Sequence, residues 1–469
     1  MKQYNSVTFD DKEIVVVIGL GRSGLATVQV LRERGATVYA TDEKTLEQLE
    51  QAIAEIEERG ASFVQGERLR AVYQQITAAV VSPGVPLNGT LVREIQDAGI
   101  PVFSEIEVAY RICKAPIVAV TGTKGKSTTT ALIGAIFRQG AKTVHVGGTI
   151  GNALIRETAD ALREDWVIAE VSSFQLESIR SFRPRISLFL NLSPDHLDRY
   201  HSMDEYFEAK VRIFANQGPG DAFAGNLDDE RIAQFAEGEA ATRVPTKSYW
   251  YAKSPHRNTT VYLRDSKVMY APPAGDPRPV EILTTADIRL IGVHNVENVM
   301  GAVLVGLLAG IESAAIREAV RNFSGMPHRL QLIAEVAGVR YVDDSKATTP
   351  GAVVAALEAF DAPIILIAGG RSKRTDFRAL KAAAATRVKA AVLIGEAADE
   401  IAAALGSVPV KRAGSMQAAV EAARALVCAG DVVLLSPACA SFDMFSSAEA
   451  RGDAFGVAVG APAEVTRGA

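Results

Sequence analysis

Residues 119–128 constrain the fold most, because they join an apolar run to a glycine-rich turn that opens into a helical pattern. Residues 116–120 predict a strand, and residues 129–138 predict a helix. A strand, a glycine turn and a helix N-terminus form a phosphate cradle, since backbone N–H groups and the helix dipole both favour an anion. Lys126 adds a full charge, and the Ser127 hydroxyl is suited to hold Mg²⁺. The segment therefore predicts a nucleoside triphosphate site in an α/β sheet.

The loop departs from the usual P-loop pattern, G-x-x-x-x-G-K-[ST]. The first glycine of that pattern would fall at Val120. The alternative interpretation is therefore a tight strand-to-helix turn that carries a surface lysine at position 126. The strand before the loop and the helix after it favour the triphosphate site.

Length and composition limit the classes of protein. A chain of 469 residues exceeds a single core, so about two to four domains are expected. Aromatic residues make up 6% of the chain, while alanine, glycine and valine are abundant, as is typical of parallel α/β proteins. The net charge of −5, without an aromatic-rich basic patch, argues against a nucleic-acid surface. Three cysteines lack metal or disulfide spacing and fit a reducing compartment: Cys113, Cys428 and Cys439.

Neither a membrane span nor a signal peptide is expected. No apolar run reaches the length of about 18 residues that a spanning helix requires. Residues 1–11 are polar and acidic, unlike a signal peptide. The sequence therefore predicts a soluble protein of the cytoplasm with no membrane partner.

The first segment alternates strand and helix patterns around two glycine-bearing turns. A strand at residues 13–18 runs into Gly-Leu-Gly-Arg-Ser-Gly at residues 19–24, and Asp42 follows the next strand. This pattern is typical of dinucleotide sites and predicts NAD or FAD, or else another phosphorylated ligand. A second turn, Ser82-Pro83-Gly84, follows a strand at residues 78–81. Turns at the ends of parallel strands line the ligand crevice of a doubly wound sheet.

The second segment places polar side chains after two predicted strands, residues 166–170 and 186–190. Glu170 ends the first strand and is either an Mg²⁺ ligand or a glutamate favoured by a helix N-terminus. The loop after the second strand carries His196 and Asp198 as ligand candidates. Lys210 lies on the following helix, predicted over residues 204–216, and its position alone indicates a solvated charge. A hairpin is predicted at residues 261–263 and 267–270, a helix at residues 295–308, and a surface loop at residues 272–279.

The third segment again alternates strands and helices. A hairpin at residues 332–336 and 339–342 precedes a helix at 350–360 and strands at 364–367, 391–394 and 432–435. Polar clusters lie beside these strand ends, at residues 328–329, 343–348, 369–373 and 436–443. Lysines and hydroxyls in such positions indicate recognition of a carboxylate or a γ-phosphate. Residues 460–469 are expected to form a loose tail.

The motifs, taken in order, resemble those of the Mur ligases and the folylpolyglutamate synthases. The matching segments are residues 19–24, 121–128, 170–177, 195–200, 294–298, 328–329, 343–348 and 436–441. The resemblance implies an α/β chain of three domains. These are a Rossmann-like UDP-sugar domain at 1–113, a P-loop ATPase-like parallel sheet that binds ATP at 114–325, and a Rossmann-like amino-acid domain at 326–469.

The resemblance also implies an activity in cytoplasmic peptidoglycan synthesis. The motifs point to the family members that join D-glutamate to UDP-N-acetylmuramoyl-L-alanine through an acyl phosphate and a tetrahedral intermediate, releasing ADP and phosphate. A monomer is expected. The alternatives are another Mur-type or folylpolyglutamate-type ligase, an NAD-dependent oxidoreductase that uses residues 19–24, and a nucleotide-switch protein without catalysis.

Site residues carried over from the family fall into five groups. The UDP-sugar group is Gly21, Arg22, Ser23, Asp42, Ser82, Pro83, Gly84 and Thr149. The ATP group is Gly122, Thr123, Lys124, Gly125, Lys126, Ser127, Thr128, Asn295, Asn298, Arg329 and Asp344. Two Mg²⁺ ions are implied at Ser127, Glu170, His196 and Lys210, and Lys210 aligns with a lysine that is carbamylated in the family. Lys346 and His328 would lie near the reacting groups, and the D-glutamate group is Thr348, Lys373, Ser441 and Phe445.

Two positions depart from the family pattern. Thr149 stands where the family usually has an asparagine that helps to hold substrate, and Asn152 lies three residues later. Arg371 stands where some members have an acidic residue.

The resemblance implies four catalytic residues, which are Lys126, His196, Lys210 and Lys346. No general base is evident from the sequence.

Overall fold

The computed structural model describes residues 4, 6–197, 199–238, 244–256, 258–272, 278–292, 294–372 and 375–460. The strands in these ranges form three sheets. The chain divides into two compact units, Met1–Thr285 with Glu297–Ala319, and Ala286–Val296 with Val320–Ala469. The first unit contains the first two sheets, and the second unit contains the third. Within the same ranges, no helix combines the length and the apolar character needed to cross a bilayer.

The first sheet is parallel, with strand order β3-β2-β1-β4-β5. Its strands are β1 (Ile14–Ile18), β2 (Thr37–Thr41), β3 (Ser62–Phe63), β4 (Ala78–Val81) and β5 (Val102–Ser104). The helices of this region are Arg22–Glu33, Leu46–Glu58, Glu67–Val72, Thr90–Asp97 and Glu105–Ile112. All four residues of β4 are buried, as expected for a parallel sheet covered on both faces. The strand order reverses between β1 and β4, so a crevice opens at their carboxyl ends.

The second sheet has the order β14-β13-β12-β11-β10-β9-β6-β8-β7. Its strands are β6 (Ile117–Thr121), β7 (Val144–Gly148), β8 (Trp166–Glu170), β9 (Ile186–Phe189), β10 (Ala222–Asn226), β11 (Lys247–Ala252), β12 (Thr259–Arg264), β13 (Lys267–Tyr270) and β14 (Val280–Thr284). Pairing is parallel from β7 to β12 and antiparallel from β12 to β14. The helices are Lys126–Gln139, Leu154–Ala159, Ser173–Leu176, Met203–Val211, Glu230–Glu237, His294–Leu308 and Ser313–Asn322.

The third sheet has the order β15-β16-β20-β17-β18-β19. Its strands are β15 (Gln331–Val336), β16 (Val339–Asp343), β17 (Ile364–Gly369), β18 (Val388–Ile394), β19 (Val410–Arg412) and β20 (Val432–Leu435). The pair β15–β16 is antiparallel, and the remaining pairs are parallel. The helices are Pro350–Glu358, Leu380–Arg387, Ala398–Leu405, Met416–Arg424 and Ala448–Val459.

The predicted α/β class is confirmed, and so are many of the predicted elements. The strands predicted at 78–81, 166–170 and 432–435 have the same bounds in the structure, and both predicted hairpins are antiparallel pairs. The helix predicted over 204–216 is shorter, because it ends at Val211 and continues as the 3₁₀ turn Arg212–Phe214. Most of the predicted loop at 272–279 and of the predicted tail lies outside the described residues.

A pair of buried glutamates on helix Glu105–Ile112 fastens this helix to the region of the second sheet. The Glu105 carboxylate accepts a hydrogen bond from the backbone of Ile155 at 2.7 Å. Glu107, which is fully buried, accepts from the backbone N–H groups of residues 180, 181 and 182 at 2.9–3.0 Å. Arg111 adds an ion pair to Glu107 at 3.0 Å. Buried carboxylates require such partners, so this contact is specific.

Replacing Glu107 with alanine is expected to lower the free energy of unfolding by about 3 kcal/mol, because several donors and Arg111 lose their buried acceptor. Glu58 is exposed, and its alanine variant provides a control expected to change stability by less than about 0.5 kcal/mol. Chemical denaturation measures both variants. A Glu107 variant as stable as the Glu58 control would show that the contact contributes little.

The same carboxylate makes stability depend on pH. Burial by itself would raise the pKa of Glu107, but the hydrogen bonds from Ser181 and Arg180 and the Arg111 contact hold the pKa below its ordinary value of 4.5. The stabilisation is therefore complete above about pH 4.5 and is lost as the pH falls through the lower folded-state pKa. Unfolding measured across this range should show a smaller acid-dependent loss for the alanine variant than for the wild type.

Candidate active site

The crevice of the first sheet forms a cavity of about 680 Å³ at the carboxyl ends of its strands. Gly24 faces the backbone of Gly19, where an added Cβ would lie 1.8 Å from the carbonyl oxygen, so only glycine permits this helix–strand approach. The cavity brings together seven of the predicted UDP-sugar residues, which are Gly21, Arg22, Ser23, Asp42, Ser82, Pro83 and Gly84.

Two polar side chains hold the turns around this cavity. Asp42 Oδ2 accepts a hydrogen bond from the backbone N–H of Leu20 at 2.7 Å, which fixes the first glycine turn. The Ser82 hydroxyl donates to the Gly19 carbonyl at 2.7 Å and joins the two turns. Asp42 and Ser82 thus shape the cavity as well as lining it.

The glycine-rich loop of the second sheet connects β6 to helix Lys126–Gln139. Gly125 precedes this helix with φ of +80°, a conformation that favours glycine. Asn191, at the end of β9, holds the loop: its Oδ1 accepts from the backbone of Thr123 at 3.1 Å and of Lys124 at 2.8 Å. Sequence reasoning assigned no role to Asn191. Because β6 lies between β8 and β9, residues at the ends of both neighbours reach the loop.

Two lysines donate to one carbonyl in this loop. Lys126 Nζ lies 3.1 Å from the Gly122 carbonyl oxygen, and Lys210 Nζ lies 2.7 Å from it. Its position alone indicated a solvated charge for Lys210, and that interpretation is wrong, since Lys210 is 1% exposed. The face of helix Met203–Val211 that carries Lys210 packs against the protein interior. The local sequence does not reveal which face is buried. Burial, reinforced by the charge of Lys126, lowers the pKa of Lys210 to about 7.

Glu170 brings a buried carboxylate to the same loop, because its strand β8 pairs with β6 with Val120 opposite Glu170. The Thr149 hydroxyl donates to Glu170 Oε1. Glu170 Oε2 is buried and has no hydrogen-bond partner among the residues that the structure describes. An unpaired buried carboxylate oxygen beside a phosphate-type loop fits a divalent cation. Over the described ranges, no three His, Cys, Asp or Glu side chains converge as a complete metal site.

His196 is held by aromatic neighbours. Its ring centroid lies 4.7 Å from that of Phe174, and its backbone has φ of +55°. Arg199 contacts the same Phe174 ring, with its guanidinium carbon 4.3 Å from the ring centroid. It also forms an ion pair with Glu177. These contacts orient a ring that the sequence marked by its loop position and by the family resemblance. Asp198 lies outside the described residues.

Asn298 lies beside the glycine loop, and an added Cβ at Gly125 would stand 2.3 Å from Asn298 Oδ1. Replacing Gly125 with alanine is therefore expected to strain the loop by about 1–2 kcal/mol and to displace Asn298. Weaker ATP binding, by about tenfold or more, should follow and can be measured by calorimetry. Gly99 also has positive φ, with no atom within 4 Å of an added Cβ, so its alanine variant is a control for backbone strain alone. Equal ATP affinity in both variants would contradict the expectation.

The second unit contains its own cluster of predicted residues around β16. The buried His328 ring pairs with Asp343, with Nδ1 and Oδ2 2.7 Å apart. Asp344 Oδ2 accepts from the Ser436 hydroxyl at 2.9 Å, and burial raises the pKa of Asp344 to about 7. Lys346 is partly exposed and lies 3.4 Å from Glu449. Asn295, also in this unit, donates to the Ile291 carbonyl at 2.7 Å.

Arg451 organises the loops of the second unit, a role that the sequence did not reveal. Its side chain is fully buried and donates to the Ser345 carbonyl at 2.7 Å and the Cys439 carbonyl at 3.1 Å. It thereby ties the loop of Lys346 to the loop that leads to Ser441. A helical arginine normally predicts a solvated charge, so only the packing identifies it.

Four residues were predicted to receive the amino acid. Thr348 follows the Lys346 loop, and the Phe445 backbone N–H donates to the Ser441 carbonyl at 2.9 Å within one turn. Lys373 lies outside the described residues. Arg371, which stands where some family members have an acidic residue, forms an ion pair with Glu396 at 3.1 Å. An acidic side chain therefore lies next to this position.

Three family models match the chain in order. They are the Mur ligase MurD-like N-terminal domain at residues 13–104, the Mur ligase middle domain at 120–306, and the Mur ligase glutamate ligase domain at 328–439. The glycine loop, Glu170, His196 and Lys210 fall in the middle match, and Lys346 falls in the third.

Curated relatives are similar over almost their whole length. The UDP-N-acetylmuramoylalanine–D-glutamate ligase of Acidobacterium capsulatum is 41% identical over 94% of this chain and 95% of the relative. The enzyme of the same name from Pelotomaculum thermopropionicum is 41% identical over 94% and 96%.

Solved structures share the fold at low identity. MurF from Acinetobacter baumannii has a TM-score of 0.56 at 15% identity and covers 90% of each chain. UDP-N-acetylmuramate-alanine ligase MurC from Thermotoga maritima has a TM-score of 0.54 at 18% identity and covers 91% of this chain and 96% of its own. With the relatives matched along nearly its full length, the chain belongs to the Mur ligase family.

Proposed function

We propose that this protein is an ATP-dependent ligase that joins D-glutamate to UDP-N-acetylmuramoyl-L-alanine in the synthesis of peptidoglycan precursors. The observation that carries the proposal is the glycine loop, where Lys126 and Lys210 both donate to the Gly122 carbonyl and the neighbouring strand end brings a buried, unpartnered oxygen of Glu170. The names of relatives matched along 94% of the chain supply the substrates. We also propose that the protein acts as a monomer in the cytoplasm, with no nucleic-acid or membrane partner.

The chemistry begins with a poor acyl donor. The carboxylate of the muramoyl-alanine substrate would have to expel oxide, whereas an acyl phosphate expels phosphate. One carboxylate oxygen takes the γ-phosphoryl group of ATP, and ADP leaves. The D-glutamate nitrogen then forms a bond to the acyl carbon, a tetrahedral intermediate collapses, and phosphate departs as the ammonium proton is lost. Lys126 and Lys346 would stabilise charge on the phosphoryl group.

The UDP-sugar would bind in the cavity of the first sheet, and the nucleotide would bind at the glycine loop of the second sheet. The cavity at Arg22, Asp42 and Ser82 is suited to the diphosphate of the UDP-sugar, since it combines two turns with exposed backbone. The loop from Gly122 to Thr128, together with Asn298, would bind ATP. By the family resemblance, Asn295 would approach the adenine, and His328, Arg329 and Asp344 would lie near the nucleotide phosphates and the reacting carboxylate. Thr348, Lys373, Ser441 and Phe445 would bind D-glutamate.

Two Mg²⁺ ions would complete the ATP site. Ser127 and Glu170 would hold one, and His196 and Lys210 the other. Bound Mg²⁺ supplies charge neutralisation on the phosphate oxygens. A carbamylated Lys210 would provide a carboxylate-like ligand, and its burial and lowered pKa support this proposal because the neutral amine is the form that reacts with CO₂.

Phosphate release tests the proposal. The protein is incubated with ATP, Mg²⁺ and UDP-N-acetylmuramoyl-L-alanine against a panel of D- and L-amino acids. We expect release that requires the UDP-sugar and appears with D-glutamate. Release with another amino acid would indicate another Mur-type or folylpolyglutamate-type ligase. NADH binding tighter than that of the UDP-sugar would favour the oxidoreductase, and no release with any amine would contradict ligase activity.

A further inference from the structure

The turn after β7 brings Thr149 against the end of β8. The two strands are parallel, with Gly148 opposite Glu170, so the next residue along the turn lies beside the Glu170 side chain. The Thr149 backbone N–H donates to the Glu170 carbonyl at 3.1 Å. At Gly148, φ is +113° and an added Cβ would lie 2.1 Å from the same carbonyl oxygen. The close approach of the two strand ends therefore depends on glycine.

The Thr149 side chain makes a hydrogen bond to only one of the two oxygens of the Glu170 carboxylate. Its hydroxyl donates to Oε1, while Oε2 stays buried without a partner in the described part of the chain. The branched threonine side chain has few χ1 rotamers, so the hydroxyl is held in place. One carboxylate oxygen is thus held by a hydrogen bond, and the other has no donor among the described residues.

The other polar groups of the turn are engaged elsewhere. The Asn152 amide donates to Glu157 Oε1 at 2.7 Å, so this donor is occupied within its own turn. Arg22, from the UDP-sugar cavity, donates to the backbone carbonyl of Thr149 at 3.4 Å. The Thr149 main chain therefore contacts Arg22, a residue that lines the cavity, while its hydroxyl contacts Glu170.

We propose that Thr149 is a positioning residue for a divalent cation at Glu170, and that its side chain is not a UDP-sugar contact. The inference rests on the proposed function, which makes Glu170 a cation ligand. Magnesium requires near-octahedral oxygen ligands, and a hydrogen bond to one carboxylate oxygen orients the other for binding. The position where the family usually has an asparagine thus serves the metal in this chain.

Three variants of the full chain test this inference. Thr149→Val removes the hydroxyl and keeps the shape, Thr149→Ala removes both, and Thr149→Ser keeps the hydroxyl. Mn²⁺ binding in the presence of a non-hydrolysable ATP analogue is measured by electron paramagnetic resonance. We expect about tenfold or greater weakening of Mn²⁺ binding with valine and alanine, and recovery with serine. The Mg²⁺ concentration for half-maximal phosphate release should rise in parallel, with the KM for the UDP-sugar unchanged at saturating Mg²⁺.

Two results would overturn the inference. One is unchanged Mn²⁺ binding in correctly folded valine and alanine variants, and the other is a higher KM for the UDP-sugar without a change in metal dependence. Thermal unfolding checks that each variant is folded. The wild-type assay distinguishes failure of the proposed function from failure of the role of Thr149. If the wild type releases no phosphate with any amino acid, the proposed function fails. The Mn²⁺ comparison still tests the contact between Thr149 and Glu170.

Discussion

Replacing Lys126 with alanine is expected to reduce phosphate release by about 10³-fold or more. The ammonium lies in the glycine loop, donating to the carbonyls of Gly122 at 3.1 Å and Thr123 at 2.9 Å, where it can turn toward bound phosphates. Its loss removes charge stabilisation that grows as the phosphoryl group transfers. Binding of the UDP-sugar should persist, because its cavity is lined by residues of the first sheet.

The Lys126 prediction has a matched control. Lys142 is exposed and lies just after the helix that Lys126 begins, so its alanine variant should keep the wild-type rate. Steady-state phosphate release and calorimetric titration with the UDP-sugar are measured for both variants. A near-normal rate for the Lys126 variant would show that the loop is not the ATP site. Loss of UDP-sugar binding as well would indicate wider misfolding.

Replacing Lys210 with alanine is expected to reduce the rate to a similar extent, about 10³-fold. The side chain is buried and donates to the Gly122 carbonyl at 2.7 Å, so the variant loses a charged group and leaves space beside the loop. If the working form is a carbamate, a small acid such as acetate should enter that space and restore part of the activity. If the working form is a cation, methylammonium should restore it instead.

The Lys210→Arg variant separates charge from carbamylation. Arginine keeps a positive charge but does not supply the neutral amine that reacts with CO₂. We expect this variant to be as inactive as Lys210→Ala and to be insensitive to added bicarbonate. Full activity with arginine would contradict a carbamate at this position. Thermal unfolding of both variants identifies any loss that comes from misfolding.

The local elements could be predicted because their signals are local. The apolar run before Gly122 and the helical pattern after it became β6 and helix Lys126–Gln139. The turns at Gly19 and Ser82 met in one cavity because parallel strands end at the same edge of a sheet. The domain bounds and the roles assigned to single site residues stay predictions, to be tested by the variants above.

Other features depend on pairing between distant residues. Asn191 shapes the glycine loop from the end of β9, and Glu107 accepts hydrogen bonds from a segment more than 70 residues later. Arg451 is fully buried although its helix carries no local sign of it. Strand order and helix packing decide these contacts, and the spacing of nearby residues predicts neither of them.

The sequence by itself determined the α/β class, the positions of most strands, the glycine turns and the family motifs, since each depends on residue type and short-range periodicity. The tertiary structure alone decided that Lys210 is buried beside Gly122 and that the Thr149 hydroxyl is bound to Glu170. Burial and the register between β7 and β8 cause these differences. A side chain acquires its charge state and its partner from the groups that folding places around it.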